Sequence, residues 1–152
     1  MMLCDAVQAS EGKLYILGGG WSVTGPGPAP SGVALLLEVP WGQANQKIPV
    51  VLELLTEDGA PVLDMDPSAP TAVRIEGEIE VGRAPGLAPG TPLNVPMAIN
   101  IGPLPLNPGA RYYWQLTIGD ETNENWRLPF AVRAPLPAGP MGGATDFGLP
   151  TL

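Results

Sequence analysis

Apolar residues fall along this chain in short runs, each closed by Gly, Pro, Asn or Asp, and the runs recur from the first residues to about position 133. That is the signature of an antiparallel all-β domain, with about eight candidate strands. Residues 2–8 and 13–18 flank Ala9-Ser10-Glu11-Gly12 and predict a hairpin in which Leu14 and Ile16 share a face. Residues 33–39 are almost continuously apolar, as in a central strand, and Pro40-Trp41-Gly42-Gln43-Ala44-Asn45 allows one helical turn before the strand at 48–56. Glu57-Asp58-Gly59-Ala60 carries an Asp-Gly turn signal. The cleanest alternation spans 71–81, with Val73, Ile75, Gly77, Ile79 and Val81 on one face and Arg74, Glu76, Glu78 and Glu80 on the other. Pro96 inside 93–101 predicts an edge or bulged strand. Tyr112, Trp114, Leu116 and Ile118 share a face, and residues 120–125 turn the chain into a last strand at 126–133.

Composition narrows the class. Gly and Pro number 20 each among 152 residues and are spread along the chain, which leaves few windows for a long helix. With 45% hydrophobic and 14% charged residues the chain is no disordered polyanion, and its length suits one core. Residues 1–133 form the expected domain, and residues 134–152 a Pro/Gly-rich C-terminal tail without periodicity. Seven Lys and Arg stand against 15 Asp and Glu, a net charge of −8 that supplies no phosphate-neutralising patch, so no nucleic-acid partner is expected. The start lacks the basic and apolar regions of a secretory signal, and no apolar run is long enough to span a membrane. A cytoplasmic or intraparticle location is the expectation, and the single Cys4 agrees with a reducing compartment.

The chemistry is restricted by what the chain lacks. It has no histidine and one cysteine, which removes His-based triads, His-ligated or multi-Cys zinc sites and internal disulfides. Ser22, Ser31 and Ser68 have no Ser-x-x-Lys partner, and Cys4 reads as a structural thiol. Gly18-Gly19-Gly20 lacks the Lys and Ser/Thr of a phosphate-binding loop and reads as a sharp strand exit beside Trp21. The acidic turns (Glu57, Asp58, Asp64 and Asp66; Asp120, Glu121 and Glu124) have no EF-hand spacing, and turns collect such residues for backbone reasons. No metal and no cofactor are expected, and no enzyme activity. Trp114 belongs to a core face, whereas Trp21, Trp41 and Trp126 lie beside loops or turns and are candidate contacts for a ligand or partner.

Leu106-Asn107-Pro108-Gly109-Ala110-Arg111-Tyr112 is similar to the Leu-x-Pro-Gly-x-x-Tyr pattern before strand F of fibronectin type III-like domains. The resemblance implies a tyrosine corner built from Leu106, Pro108, Gly109 and Tyr112, whose hydroxyl bonds back to the chain a few residues upstream. Over nearly its full length the chain also resembles an uncharacterised bacterial family, mostly actinobacterial, through Asp5-Ala6, Gly12-Lys13-Leu14-Tyr15-Ile16-Leu17-Gly18-Gly19-Gly20-Trp21, Val39-Pro40-Trp41 and Trp126-Arg127-Leu128-Pro129-Phe130. That likeness implies fold and setting and carries no catalytic residue.

These readings converge on an antiparallel Greek-key β-sandwich, immunoglobulin- or fibronectin type III-like, with seven to nine strands and an extended tail. The expected function is non-enzymatic: a structural or protein-interaction module that self-associates or serves as a subunit of a larger assembly. Phe147, Leu149 and Leu152 would dock the tail on a neighbouring subunit, so removing residues 134–152 should leave a folded domain that no longer self-associates. The alternative is a small-ligand or carbohydrate-binding module that uses the loop tryptophans, with calcium held by the acidic turns.

Overall fold

The computed structural model describes residues 1–137. Ten strands succeed one another: β1 (Met2–Cys4), β2 (Ala6–Ser10), β3 (Lys13–Leu17), β4 (Val23–Thr24), β5 (Ser31–Val39), β6 (Ile48–Thr56), β7 (Arg74–Ile79), β8 (Leu93–Ile101), β9 (Arg111–Ile118) and β10 (Glu121–Val132). A 3-10 turn, Trp41–Gln43, follows β5 at the position where the sequence allows one helical turn. Two of the sheets, β1-β5-β8 and β4-β10-β9-β6-β7, form a β-sandwich that is not closed into a barrel, and β2-β3 is a separate hairpin. All pairings are antiparallel except that of β4 with β10, which is parallel.

The core lies where the alternating residues of both sheets meet. β5 contributes Val33, Leu35, Leu37 and Val39, β6 contributes Val50, Leu52 and Leu54, and β9 contributes Tyr112, Trp114 and Leu116. Register explains the layering: Leu54 stands opposite Trp114, and Trp114 opposite Leu128, so one row of large side chains crosses three strands. Trp114 is fully buried in that row. Truncating such a residue to alanine typically costs about 3–5 kcal/mol, because the transfer energy is lost and a cavity remains.

Three departures from the sequence reading have local causes. Residues 2–8 are two strands, because the chain bends at Asp5 and passes from pairing with β5 to pairing with β3, the Asp5 N–H still donating to the Leu17 carbonyl (3.0 Å). The last strand starts at Glu121 rather than 126: the turn is Gly119-Asp120, with Gly119 at φ +61°, and residues 123–126 are taken up by a register shift between Thr122 and Arg127. The two residues of β4 add a tenth strand, too short to show a period.

Continuous apolarity in β5 has a tertiary cause. Its odd positions face the main core, and its even positions Gly32 and Ala34 are also buried, because the β2-β3 hairpin folds over the outer face of this sheet. Beyond the hairpin the even positions emerge at Leu36 and Glu38.

Candidate interaction surfaces

The hairpin is the most unusual part of the sandwich. Its turn, Glu11-Gly12, has φ of +49° and +72°, the mirror-image turn whose twist suits two directly joined antiparallel strands. Cys4, Val7 and Ala34, with Leu14 and Ala98 beside them, form a second small core between the hairpin and β5-β8. Gly32 makes this approach possible, since a Cβ there would stand 2.9 Å from Cys4 Sγ and 3.1 Å from Val7 Cγ1. Burial pushes the Cys4 thiol above its ordinary value, with the Asp5 charge adding to the effect, so the group is a protonated packing residue at neutral pH.

A polar clamp completes the docking. The Asn100 carboxamide accepts the Val7 N–H (3.0 Å) and donates to the Val7 carbonyl (2.8 Å), so a side chain of β8 takes the place of a neighbouring strand. On the far side of the hairpin β3 pairs with nothing else among the described residues. Tyr15 is 53% exposed, Ile16 40% and Leu17 69%, and Met2, which meets Ile16 at Gly19, is also exposed. The exit from β3 is built by its glycines: Gly18 lies against the Asp5 carboxylate, Gly19 fits between Ile16 and Met2, and the Gly20 N–H donates to the Leu3 carbonyl at 2.7 Å. The triplet therefore serves close backbone packing and a sharp exit.

The candidate tryptophans lie apart from one another, and each is half-buried against the main core. Trp21 meets Phe130 edge-on (6.0 Å, 87°), its Nε1 is buried without a partner among the described residues, and the cavity beside it is ≈ 20 Å³, too small for a sugar ring. Trp41 lies under the Arg83 guanidinium at 4.9 Å, and Arg83 Nη2 donates to the Trp41 carbonyl at 2.9 Å. Trp126 sits in the irregular stretch of β10. At the start of β9 the Tyr112 hydroxyl accepts the Asn107 N–H at 2.8 Å, with Gly109 at φ +81° between them and Leu106 packed on the core. Pro108 lies in that same turn. Phe147, Leu149 and Leu152 lie outside the described residues.

Sequence reasoning missed one surface. The outer face of β4-β10-β9 carries an open groove of ≈ 550 Å³ lined by Val23, Arg111, Tyr113, Arg127 and Pro129. Arg127 covers the Tyr113 ring at 5.1 Å, and Arg111 pairs with Glu57 at 3.1 Å. A strand that alternates Tyr112 inward and Tyr113 outward announces an aromatic on the wet face, but only the pairing of β9 with β10 brings Arg127 onto it.

The acidic turn at 64–71 is held by its own chain. Asp64 accepts from the Asp66 N–H (3.2 Å), the Thr71 N–H (3.1 Å) and the Thr71 hydroxyl (2.7 Å). Asp66 accepts from the Ser68 N–H (2.9 Å) and the Ser68 hydroxyl (2.6 Å). Among the described residues no three His, Cys, Asp or Glu side chains gather as a metal site, and no helix is long and apolar enough to cross a membrane.

No curated protein and no solved structure matches the chain. A family profile does match, over residues 1–133, from β1 to the end of β10. The chain belongs to DUF6941, a family of unknown function.

Proposed function

We propose that this protein is a non-enzymatic, self-associating interaction module, a subunit that assembles with copies of itself. The observation that carries this reading is the unpaired strand β3 with Tyr15, Ile16 and Leu17 exposed along it, beside the exposed Met2. Exposed apolar residues gathered around an open strand edge mark a surface that gains stability when covered. The residue inventory supports the non-enzymatic part, since the chain contains no histidine base or ligand. The strand orders β1-β5-β8 and β4-β10-β9-β6-β7, together with the Tyr112–Asn107 bond at the start of β9, support an immunoglobulin- or fibronectin type III-like lineage. The buried, protonated Cys4 is in keeping with a cytoplasmic or intraparticle setting.

Light-scattering mass of the full-length protein over a hundredfold concentration range tests the reading. A dimer or larger species that dissociates on dilution is expected, and a monomer at every concentration rules the proposal out. A second reading, small-ligand binding, draws support from the Tyr113–Arg127 groove, whose volume suits a small organic molecule. It requires a melting temperature that rises with a sugar or aromatic ligand and a rise abolished by Tyr113→Ala.

A further inference from the structure

Six strand edges bound the three sheets among the described residues, and five of them are guarded against further pairing. β1 and β4 are only three and two residues long. β7 presents Glu76 and Glu78. β8 carries Pro96 and lies against β2, where the Asn100 side chain takes the backbone groups of Val7. β3 has none of these devices: past Lys13 it reads Leu14-Tyr15-Ile16-Leu17.

Hairpin register shows which backbone groups this edge offers. Ser10 and Lys13 close the two-residue turn, so Gln8/Tyr15 and Ala6/Leu17 exchange bonds within the hairpin, and Val7 and Ala9 on β2 and Leu14 and Ile16 on β3 direct their N–H and C=O groups outward. Asn100 takes those of Val7. Those of Leu14 and Ile16 lie on the open side.

We propose that β3 pairs antiparallel with β3 of a second copy, about a two-fold axis through the two Tyr15 residues, and so joins the hairpins into one four-stranded sheet. This rests on the self-association reading and names the surface that carries it. Centring on Tyr15 sets Leu14 opposite Ile16 of the second copy, and Ile16 opposite its Leu14, so the four outward residues of the two β3 strands form hydrogen-bonded pairs with strand backbone alone. Centring one residue either way would draw on Gly12 or Gly18, whose φ of +72° and +60° takes them out of strand conformation. Charge is complementary in the Tyr15 register. Lys13 stands opposite Leu17 of the second copy, whose carbonyl holds the Asp5 N–H and whose next residue, Gly18, carries the Asp5 carboxylate against it. Neither Lys13 nor Asp5 forms an ion pair within the chain among the described residues, and the two-fold axis supplies the pairing twice. The Tyr15 pair is of the non-hydrogen-bonded kind, in which facing side chains come closest.

That geometry is testable by cross-linking the full-length protein. In a non-hydrogen-bonded pair the Cα atoms are about 4.5 Å apart, within disulfide reach. Tyr15→Cys treated with diamide is expected to become mostly covalent dimer with the mass of the wild-type dimer, whereas Glu78→Cys on the guarded β7 edge stays at background; buried Cys4 does not compete. Leu17→Lys, which faces Lys13 across the interface, is expected to weaken the dimer by about tenfold through two like-charge contacts. A wild-type dimer whose Tyr15→Cys variant cross-links no better than Glu78→Cys, or whose affinity Leu17→Lys leaves unchanged, overturns this interface while self-association stands. A wild-type monomer at all concentrations overturns both.

Discussion

The side chain of Asn100 pairs with the backbone of Val7 as a strand would, accepting at 3.0 Å and donating at 2.8 Å, and this clamp fixes the β2-β3 hairpin to the sandwich. Removing it leaves a half-buried donor and acceptor unmade. Asn100→Ala is expected to destabilise the protein by about 2 kcal/mol and to raise hydrogen exchange at Val7 more than at Leu52 in the main core. Asn100→Asp keeps the acceptor but loses the donor at neutral pH, and it should recover part of the lost stability when the carboxyl is protonated. Equal protection changes at Val7 and Leu52 would contradict a local clamp.

Tyr112 holds the loop before β9 through its hydroxyl, and its ring stacks on Phe130 (5.8 Å). Tyr112→Phe retains the ring and removes only the acceptor of the Asn107 N–H. A loss of about 1–3 kcal/mol in urea unfolding is expected, with an unchanged slope, because the exposed surface stays the same. A loss below about 0.3 kcal/mol would mean that solvent satisfies Asn107 equally well.

The three glycines after β3 respond differently to alanine. At Gly19 a Cβ would lie 2.7 Å from Ile16 Cγ2 and 2.9 Å from Met2 Sδ, a steric cost of about 1–3 kcal/mol. At Gly20 there is space, but φ is +91°, and the cost is conformational, about 1–2 kcal/mol. Gly18 combines φ of +60° with a collision with Asp5, so Gly18→Ala is expected to lower the melting temperature most of the three. A melting temperature for Gly18→Ala above that of either other variant would contradict this packing.

Asp64 and Asp66 are both held below the ordinary carboxylate value, Asp64 chiefly by the Thr71 hydroxyl and then the Thr71 and Asp66 N–H groups, and Asp66 by Ser68. A depressed folded value means that the carboxylates support the turn above the ordinary value and that this support is lost as pH falls through the lowered one. The Ser68 and Thr71 amides should keep their chemical shifts down to about pH 4 and move below it. In Asp64→Asn the acid transition at Thr71 should disappear. Because both carboxylates are exposed, the effect is local to residues 64–71, and a shift at Trp114 over the same range would contradict it.

The two faces of residues 71–81 and the inward run Tyr112-Trp114-Leu116 were legible because strand periodicity depends only on neighbours two apart. The hairpin at Glu11-Gly12 and the corner at Asn107–Tyr112 were legible for a similar reason, as turn chemistry is local. Trp21 and Trp41 show where locality fails. Both stand beside Gly/Pro loops, yet their exposure depends on Phe130 and Arg83, 109 and 42 residues away.

From sequence alone came the all-β class and a residue set with no histidine, since these follow from local periods and from composition. Tertiary structure alone decided which edges are covered. That Asn100 closes Val7, that Gly32 and Ala34 lie beneath a hairpin, and that β3 stays open are long-range pairings between segments up to 93 residues apart. Strand pairing satisfies backbone groups identical in every residue, so an edge strand and a central strand of the same composition differ only in what the fold sets beside them.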